Sequence, residues 1–152
     1  GTEVRAISKE LENHYAHYFS DRSKVVAQHE RYHSVFVQLS TRADALRKQI
    51  ATLSSSIKSQ RATYERESAT LSRAIDDFNR RADNGEFSSQ ASFTSERQVL
   101  IARTIEIENL RTAINAAVTK FNALVVEVND IATETEDLNH SMDSNLEPAP
   151  SL

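Results

Sequence analysis

The sequence predicts an all-α fold, an elongated antiparallel coiled-coil hairpin of two long helices. Two observations predict it. Gly85 is the only glycine or proline in the interior of the 152-residue chain, so almost nothing interrupts helix formation. Apolar residues also recur at alternating steps of three and four, the spacing of a left-handed coiled coil. Two ways of completing the fold stay open: a dimer that forms a four-helix bundle, or a short third helix at the N-terminus.

The first arm of the hairpin, residues 21–84, carries one apolar seam that only His29, Gln60 and Glu67 interrupt. Residues 1–20 form an N-terminal helical segment, and Ser20 is a plausible N-cap after it. This segment either continues the first helix or folds back as a third one. The seam consists of Val25, His29, Tyr32, Phe36, Leu39, Ala43, Leu46, Ile50, Leu53, Ile57, Gln60, Tyr64, Glu67, Leu71, Ala74 and Phe78.

The tip of the hairpin is predicted at residues 85–92. Asn84 and Gly85 supply the left-handed conformation that ends a helix, because glycine adopts it without steric cost. Ser88 or Ser89 then provides an N-cap for the second helix. Three aromatic residues are expected to close over one another at the tip: Phe78, Phe87 and Phe93.

The second arm, residues 93–142, carries a matching seam, and residues 143–152 with their two prolines are expected to be a flexible linker. A further apolar line beside this seam indicates a third helical neighbour. The seam consists of Leu100, Arg103, Ile107, Leu110, Ile114, Ala117, Phe121, Leu124, Val128, Ile131, Thr135, Leu138 and Met142, and the line of Val118, Val125 and Ala132.

The tip also sets the register of the two arms. If Phe78 faces Phe93, the numbers of paired residues add up to about 171. The first helix then extends some 25 residues beyond the second. The same register places Arg103 opposite Glu67, which predicts an ion pair that specifies the alignment of the two helices.

The distribution of charge favours pairing of the two arms. Residues 1–82 carry 14 Lys/Arg and 10 Asp/Glu, a balance of +4, whereas residues 83–152 carry 4 and 12, a balance of −8. The basic residues are interleaved with acidic ones, so no nucleic-acid-binding patch is predicted. The chain has no cysteine and no apolar run of about 18 residues, so neither a thiolate metal site nor insertion into a membrane is expected.

The stretch HERYH, residues 29–33, matches the H-E-x-x-H pattern of zinc peptidases. Its histidines, His29 and His33, are the only candidate metal ligands on this pattern, and catalysis would require a third. Phe36 and Leu39 occupy the positions of Gly and the third His in the extended motif. We interpret the match as a coincidence on a heptad helix, where His29 is expected to be buried in the seam. A zinc-dependent peptidase is the alternative.

A zinc-sensing or pH-sensing helical domain is a milder alternative. His14 and His17, like His29 and His33, are spaced so that they share a helix face. Such pairs can bind zinc between two chains, or titrate between about pH 5 and 8. We predict no cofactor.

Three asparagines, Asn115, Asn122 and Asn129, recur every seven residues and so lie on one stripe of the second helix. The simpler interpretation is a solvated flank whose amides bond side chains across the hairpin. The functional one is a polar ladder that fixes the register or receives a partner helix.

The tip sequence FNRRADNGEFSSQASFTSERQVL, followed by the three asparagines, resembles a helical hairpin of uncharacterised bacterial proteins. In these proteins an F-N-x-R-x-x-x-G-x-F tip joins two long helices with spaced asparagines. The resemblance covers residues 60–130. It implies an architecture rather than an activity, and favours the bacterial envelope or periplasm over the cytoplasm.

These observations together predict a non-catalytic spacer, scaffold or oligomerisation module of a larger bacterial protein. Its expected partners are proteins, with a second copy of the chain foremost. The predicted contact surfaces are the tip, residues 78–93, and the acidic second arm.

Overall fold

The computed structural model describes residues 2–145, apart from the side chains of residues 3, 4 and 142–145. Two helices, α1 (Thr2–Asp83) and α2 (Gln90–Asn145), pack against each other, and no strand occurs in this part of the chain. The predicted all-α helical hairpin is thereby confirmed. Of the predicted linker, residues 146–152 lie outside the described residues.

Helix α1 is continuous, so residues 2–19 do not form a third helix folded back on the hairpin. The fold-back alternative is wrong because nothing in the segment breaks the helix. Ser20 and Asp21, considered above as N-caps, lie inside α1. Both residues are compatible with a helix interior at a modest cost in propensity, which is far smaller than the cost of a proline there.

Contacts divide the chain into two compact units, Gly1–Ala45 with Val128–Leu152, and Leu46–Glu127. Each unit has its own buried hydrophobic residues, and all of them occupy seam positions of the sequence, which confirms both seams. In the described part of the first unit they are Ala43 and Ile131, and in the second Leu46, Ile57, Leu71, Phe78, Ile114 and Leu124.

Helix α2 begins at Gln90 rather than at residue 93 and extends to Asn145 rather than 142. Its first turn therefore belongs to the stretch that the sequence assigned to the tip. Phe78 of α1 lies against Phe93 of α2, with ring centroids 5.0 Å apart, which is the contact on which the predicted register was based.

The predicted ion pair between Glu67 and Arg103 does not form. The Glu67 side chain is 52% exposed and lies 4.0 Å from the neighbouring Arg66, while Arg103 is exposed. The interface of two helices is narrow, so a long charged side chain at a seam position can extend sideways and remain hydrated. Hydration removes the reason for the two charges to pair.

Candidate functional site

The turn at the tip is built on one backbone conformation. Gly85 has φ +64°, in the left-handed region, directly after Asn84. The amide of Glu86 donates to the Arg81 carbonyl at 2.9 Å, and the Gly85 amide donates to the Ala82 carbonyl at 3.2 Å. These two bonds form a Schellman motif, which satisfies carbonyls that the end of a helix otherwise leaves unpaired. The predicted role of Gly85 is therefore confirmed.

Ser89 caps the N-terminus of α2. Its hydroxyl oxygen accepts a hydrogen bond from the Ser92 amide at 3.0 Å, and its carbonyl accepts one from the Phe93 amide at 3.2 Å. Of the two serines that the sequence offered, Ser89 and not Ser88 makes the capping bond. The cap lies five residues after the start of the turn, so α2 leaves the tip almost at once.

Three aromatic rings close the tip. The ring centroids of Phe78, Phe87 and Phe93 lie 5.0 to 5.2 Å from one another, within the range of favourable aromatic pairs. Phe78 is 7% exposed, while Phe87 and Phe93 are half-buried. The predicted cluster therefore exists, and it presents two partly exposed rings at its surface.

Arg81 joins this cluster to the second helix. Its guanidinium lies over the Phe87 ring, 5.0 Å from the centroid, and donates two hydrogen bonds to the Glu96 carboxylate at 2.7 and 3.0 Å. A third bond runs to Asp77 at 2.9 Å. Bidentate pairing and stacking on a ring both require the planar guanidinium, so lysine cannot substitute for this arginine.

A second arginine completes a small network of charges. Arg80 donates to Asp77 at 2.8 Å and to Glu86 at 3.3 Å. The hydrogen bond from Arg80, aided by the charge of Arg81, lowers the pKa of Asp77. The hydrogen bonds from Arg81 likewise lower the pKa of Glu96. Both carboxylates are thus held in their charged form at the tip.

The sequence contained a signal for the Arg81–Glu96 pair that seam positions alone did not use. Two arginines occupy the last turn of α1, and a glutamate lies in the second turn of α2. Because the turn brings these two ends together, a charge in one end can meet the opposite charge in the other. The predicted register missed the pair, since a side chain as long as arginine crosses more than one turn.

The three asparagines of the stripe, Asn115, Asn122 and Asn129, are all exposed. None of their side chains forms a hydrogen bond within the described part of the chain, so the interpretation as amides bonded across the hairpin is wrong. Threonines one turn later, Thr119 and Thr133, instead bond the carbonyls of Asn115 and Asn129 at 3.0 and 3.2 Å. The amides are left facing water.

Asn122 borders a groove of about 510 Å³ between the two helices of the unit Leu46–Glu127. Val118 and Phe121 line it on α2, and Lys58 and Arg61 line it on α1. Val118 and Val125 of the additional apolar line are half-buried, whereas Ala132 is exposed. The groove is apolar at its base and basic on one edge.

The H-E-x-x-H stretch lies on an exposed face of α1. His29, Glu30 and His33 are all exposed, and the expectation that His29 is buried in the seam is wrong. Among the residues that the structure describes, no group of three or more His, Cys, Asp or Glu side chains is placed to hold a metal ion. The two histidines therefore have no third protein ligand there.

The first part of α1 exposes large apolar side chains. The exposed fractions are 59% for Ile7, 51% for Leu11, 56% for Tyr15, 62% for Phe19 and 50% for Val25. The unit Leu46–Glu127 has further exposed ones on α2, namely Val99, Ile101, Ile105 and Val126. Such residues are common singly, but a repeated line of them marks an interaction surface.

Neither helix, over its described residues, contains a stretch that is long and apolar enough to cross a membrane. Comparisons with protein-family models, with curated proteins and with solved structures give no match.

Proposed function

We propose that this chain is a non-catalytic structural and interaction module of a larger bacterial protein. It acts as a scaffold, spacer or oligomerisation coiled coil, associates with a second copy of itself, and offers its tip to a protein partner. The observation that carries the proposal is an excess of exposed apolar surface. Among the described residues, fourteen large hydrophobic side chains are 37–62% exposed, against eight buried hydrophobic ones. Association with another helical surface removes that area from water.

The shape of the surface supports binding rather than catalysis. The grooves of the unit Leu46–Glu127 are open and lie along helices, and that of about 510 Å³ is lined by ordinary packing residues and two cations. Enzymes instead bring acids, bases or ligands together in a concave site. His29 and His33 stand on one exposed helix face, which suits a chance match to the peptidase pattern.

The tip suits a contact surface that keeps its shape. A Schellman turn, a serine cap, three packed rings and a network of ion pairs all restrain residues 78–93. A restrained surface loses little conformational entropy when it binds a partner. The half-buried rings of Phe87 and Phe93 supply the apolar contact. The resemblance of this tip to hairpins of bacterial envelope and exported proteins supports a parent protein of that kind.

Sedimentation equilibrium tests the proposal, performed once with EDTA and once with stoichiometric zinc. We expect the mass of a dimer in both conditions, because association depends on apolar surface and not on a metal ion. A variant with both His29→Ala and His33→Ala serves as the control and should have the same mass.

Two results contradict the proposal. A mass or melting temperature that rises with zinc in the unmodified chain, but not in the double histidine variant, assigns the function to a metal site at residues 29–33. A monomer that zinc does not affect, at concentrations up to about 1 mM, removes self-association, since such weak binding is worth no more than about 4 kcal/mol.

A further inference from the structure

The beginning of helix α1 has no neighbour in the structure. Every residue of 5–27 is exposed, and the first half-buried residues of α1 are Gln28 and Tyr32. An isolated helix of this length is marginal in water unless another element covers its apolar side. The large apolar side chains that remain uncovered here are Ile7, Leu11, Tyr15, Tyr18, Phe19, Val25 and Val26.

This uncovered surface continues the interface between the two helices. Leu11, Tyr15, Tyr18 and Val25 follow the same alternation of three and four residues as the half-buried and buried positions of α1 further on. Those positions, such as Ala43, pack in the interface with α2. A stripe in the same phase is shaped to receive another helix in the same coiled-coil manner.

We propose that residues 5–27 form a self-association surface that pairs in antiparallel orientation with the same residues of a second copy. The inference rests on the proposed self-association and names the surface responsible for it. Residues 2–27 carry four acidic and four basic residues, so a second copy meets no net repulsion. The charges then decide orientation and alignment.

Charge disfavours the parallel orientation. Arg22 occupies a position of the stripe, eleven residues after Leu11 and three before Val25. Two parallel helices in register would place Arg22 directly against Arg22 of the second copy, in the interface itself. The antiparallel orientation places it against an apolar residue, over which the aliphatic stem of arginine can pack while the guanidinium reaches water.

Charge also selects one antiparallel alignment. With Tyr15 opposite Tyr18 of the second copy, the flanking residues His14 and Asp21 meet twice, once on each side of the two-fold axis. A shift by one heptad in either direction brings Glu12 against its own copy, or Asp21 against its own copy. Like charges at such positions weaken pairing and opposite charges strengthen it.

The length of the segment agrees with the same alignment. When Tyr15 faces Tyr18, residue 5 faces residue 28 of the second copy. Gln28 is the first residue of α1 that is not exposed. The second copy thus covers the whole stretch that the chain itself leaves uncovered, and stops where α1 begins to be covered.

A charge exchange tests the pairing, read out by the dimer dissociation constant in sedimentation equilibrium. His14→Glu places a carboxylate against Asp21 at two places and should raise the dissociation constant about tenfold. Adding Asp21→Lys to the same chain should restore it to the unmodified value or below. The parallel orientation predicts no such restoration, because His14 and Asp21 would then flank Phe19 and Val26.

His17→Glu is the matched control. In His14→Glu the new carboxylate lies four residues from Glu10, and in His17→Glu it lies four residues from Asp21, so both changes carry the same cost within the helix. Position 17 faces away from the stripe, and this variant should dimerise like the unmodified chain. Circular dichroism shows whether each variant keeps its helix content.

The outcomes separate this inference from the proposed function. If the unmodified chain is a monomer, the proposed self-association itself fails. If it is a dimer whose dissociation constant changes equally in His14→Glu and His17→Glu, or is not restored by Asp21→Lys, another surface carries the dimer and the inference is overturned. The groove bordered by Val118 is then the surface to examine.

Discussion

The guanidinium of Arg81 holds the carboxylate of Glu96 through two hydrogen bonds of 2.7 and 3.0 Å. Arg81 belongs to the last turn of α1 and Glu96 to the second turn of α2. The pair therefore connects the two helices directly beside the turn. Because Arg81 also stacks on Phe87, the ion pair and the aromatic cluster share one residue.

Replacement of Arg81 should lower the melting temperature more than replacement of an arginine that pairs only within its own helix. Arg81→Ala removes both bonds to Glu96 and the contact with Phe87. The matched control is Arg111→Ala, which breaks only the pair with Glu108 three residues away. Thermal unfolding followed by circular dichroism measures both variants.

A conservative change at the same position separates charge from geometry. Arg81→Lys keeps the charge but cannot form the bidentate pair, so it should recover only part of the loss seen in Arg81→Ala. Full recovery would show that charge alone matters there. A double-mutant cycle with Glu96→Gln gives the interaction between the two side chains.

Gly85→Ala should lower the free energy of unfolding by about 1 kcal/mol, the cost of the left-handed conformation for a residue with a Cβ atom. No heavy atom lies within 4 Å of the position that the new Cβ would take, so the cost comes from the backbone alone. Gly85→Asn should cost less, because asparagine tolerates this conformation better than alanine. Urea unfolding distinguishes the two variants, and equal losses would refute a backbone origin.

Phe78→Ala should lower the free energy of unfolding by about 3 kcal/mol, because a buried phenylalanine leaves a cavity when it is truncated. Phe78 contacts both other rings of the tip and is 7% exposed. Phe19→Ala makes the same chemical change at a residue that is 62% exposed. Measured by urea unfolding at a concentration where the chain is monomeric, Phe19→Ala should change stability by less than about 0.5 kcal/mol.

Much of the fold could be predicted from periodicity and from one glycine. Residues such as Ile57 and Ile114 are buried because a 3.5-residue repeat places every seam position on the same side of its helix. Gly85 marked the turn because a left-handed residue was needed and only one glycine was present. Phe78, Phe87 and Phe93 followed from their nearness to that turn.

Side-chain direction could not be predicted in the same way. Periodicity assigns a residue to a seam, but it does not say whether the partner helix extends far enough to cover it. His29 and Val25 occupy seam positions and are nevertheless exposed, since coverage of α1 begins only near Gln28. Charged residues add a second freedom, because a side chain such as Arg103 can leave the seam for water.

The ion pairs at the tip also predict how stability depends on pH. Hydrogen bonds from Arg80 and Arg81 lower the pKa values of Asp77 and Glu96 from their ordinary values of 3.8 and 4.5. A carboxylate whose pKa is lower in the folded state contributes stability above its unfolded-state pKa, and loses that contribution as the pH falls through its folded-state pKa. The tip should therefore be at full stability at neutral pH and weaken from about pH 4.5 downward.

Melting temperatures of the unmodified chain and of Glu96→Gln, recorded from pH 7 to pH 2, test this dependence. The amide of the variant cannot ionise, so the advantage of the unmodified chain should be largest at pH 7 and shrink as Glu96 takes up its proton. Glu106→Gln, at an exposed residue one helical segment further along α2, corrects for the general loss of a negative charge. A difference between the unmodified chain and Glu96→Gln that stays constant across the range would mean that the charge of Glu96 does not stabilise the tip.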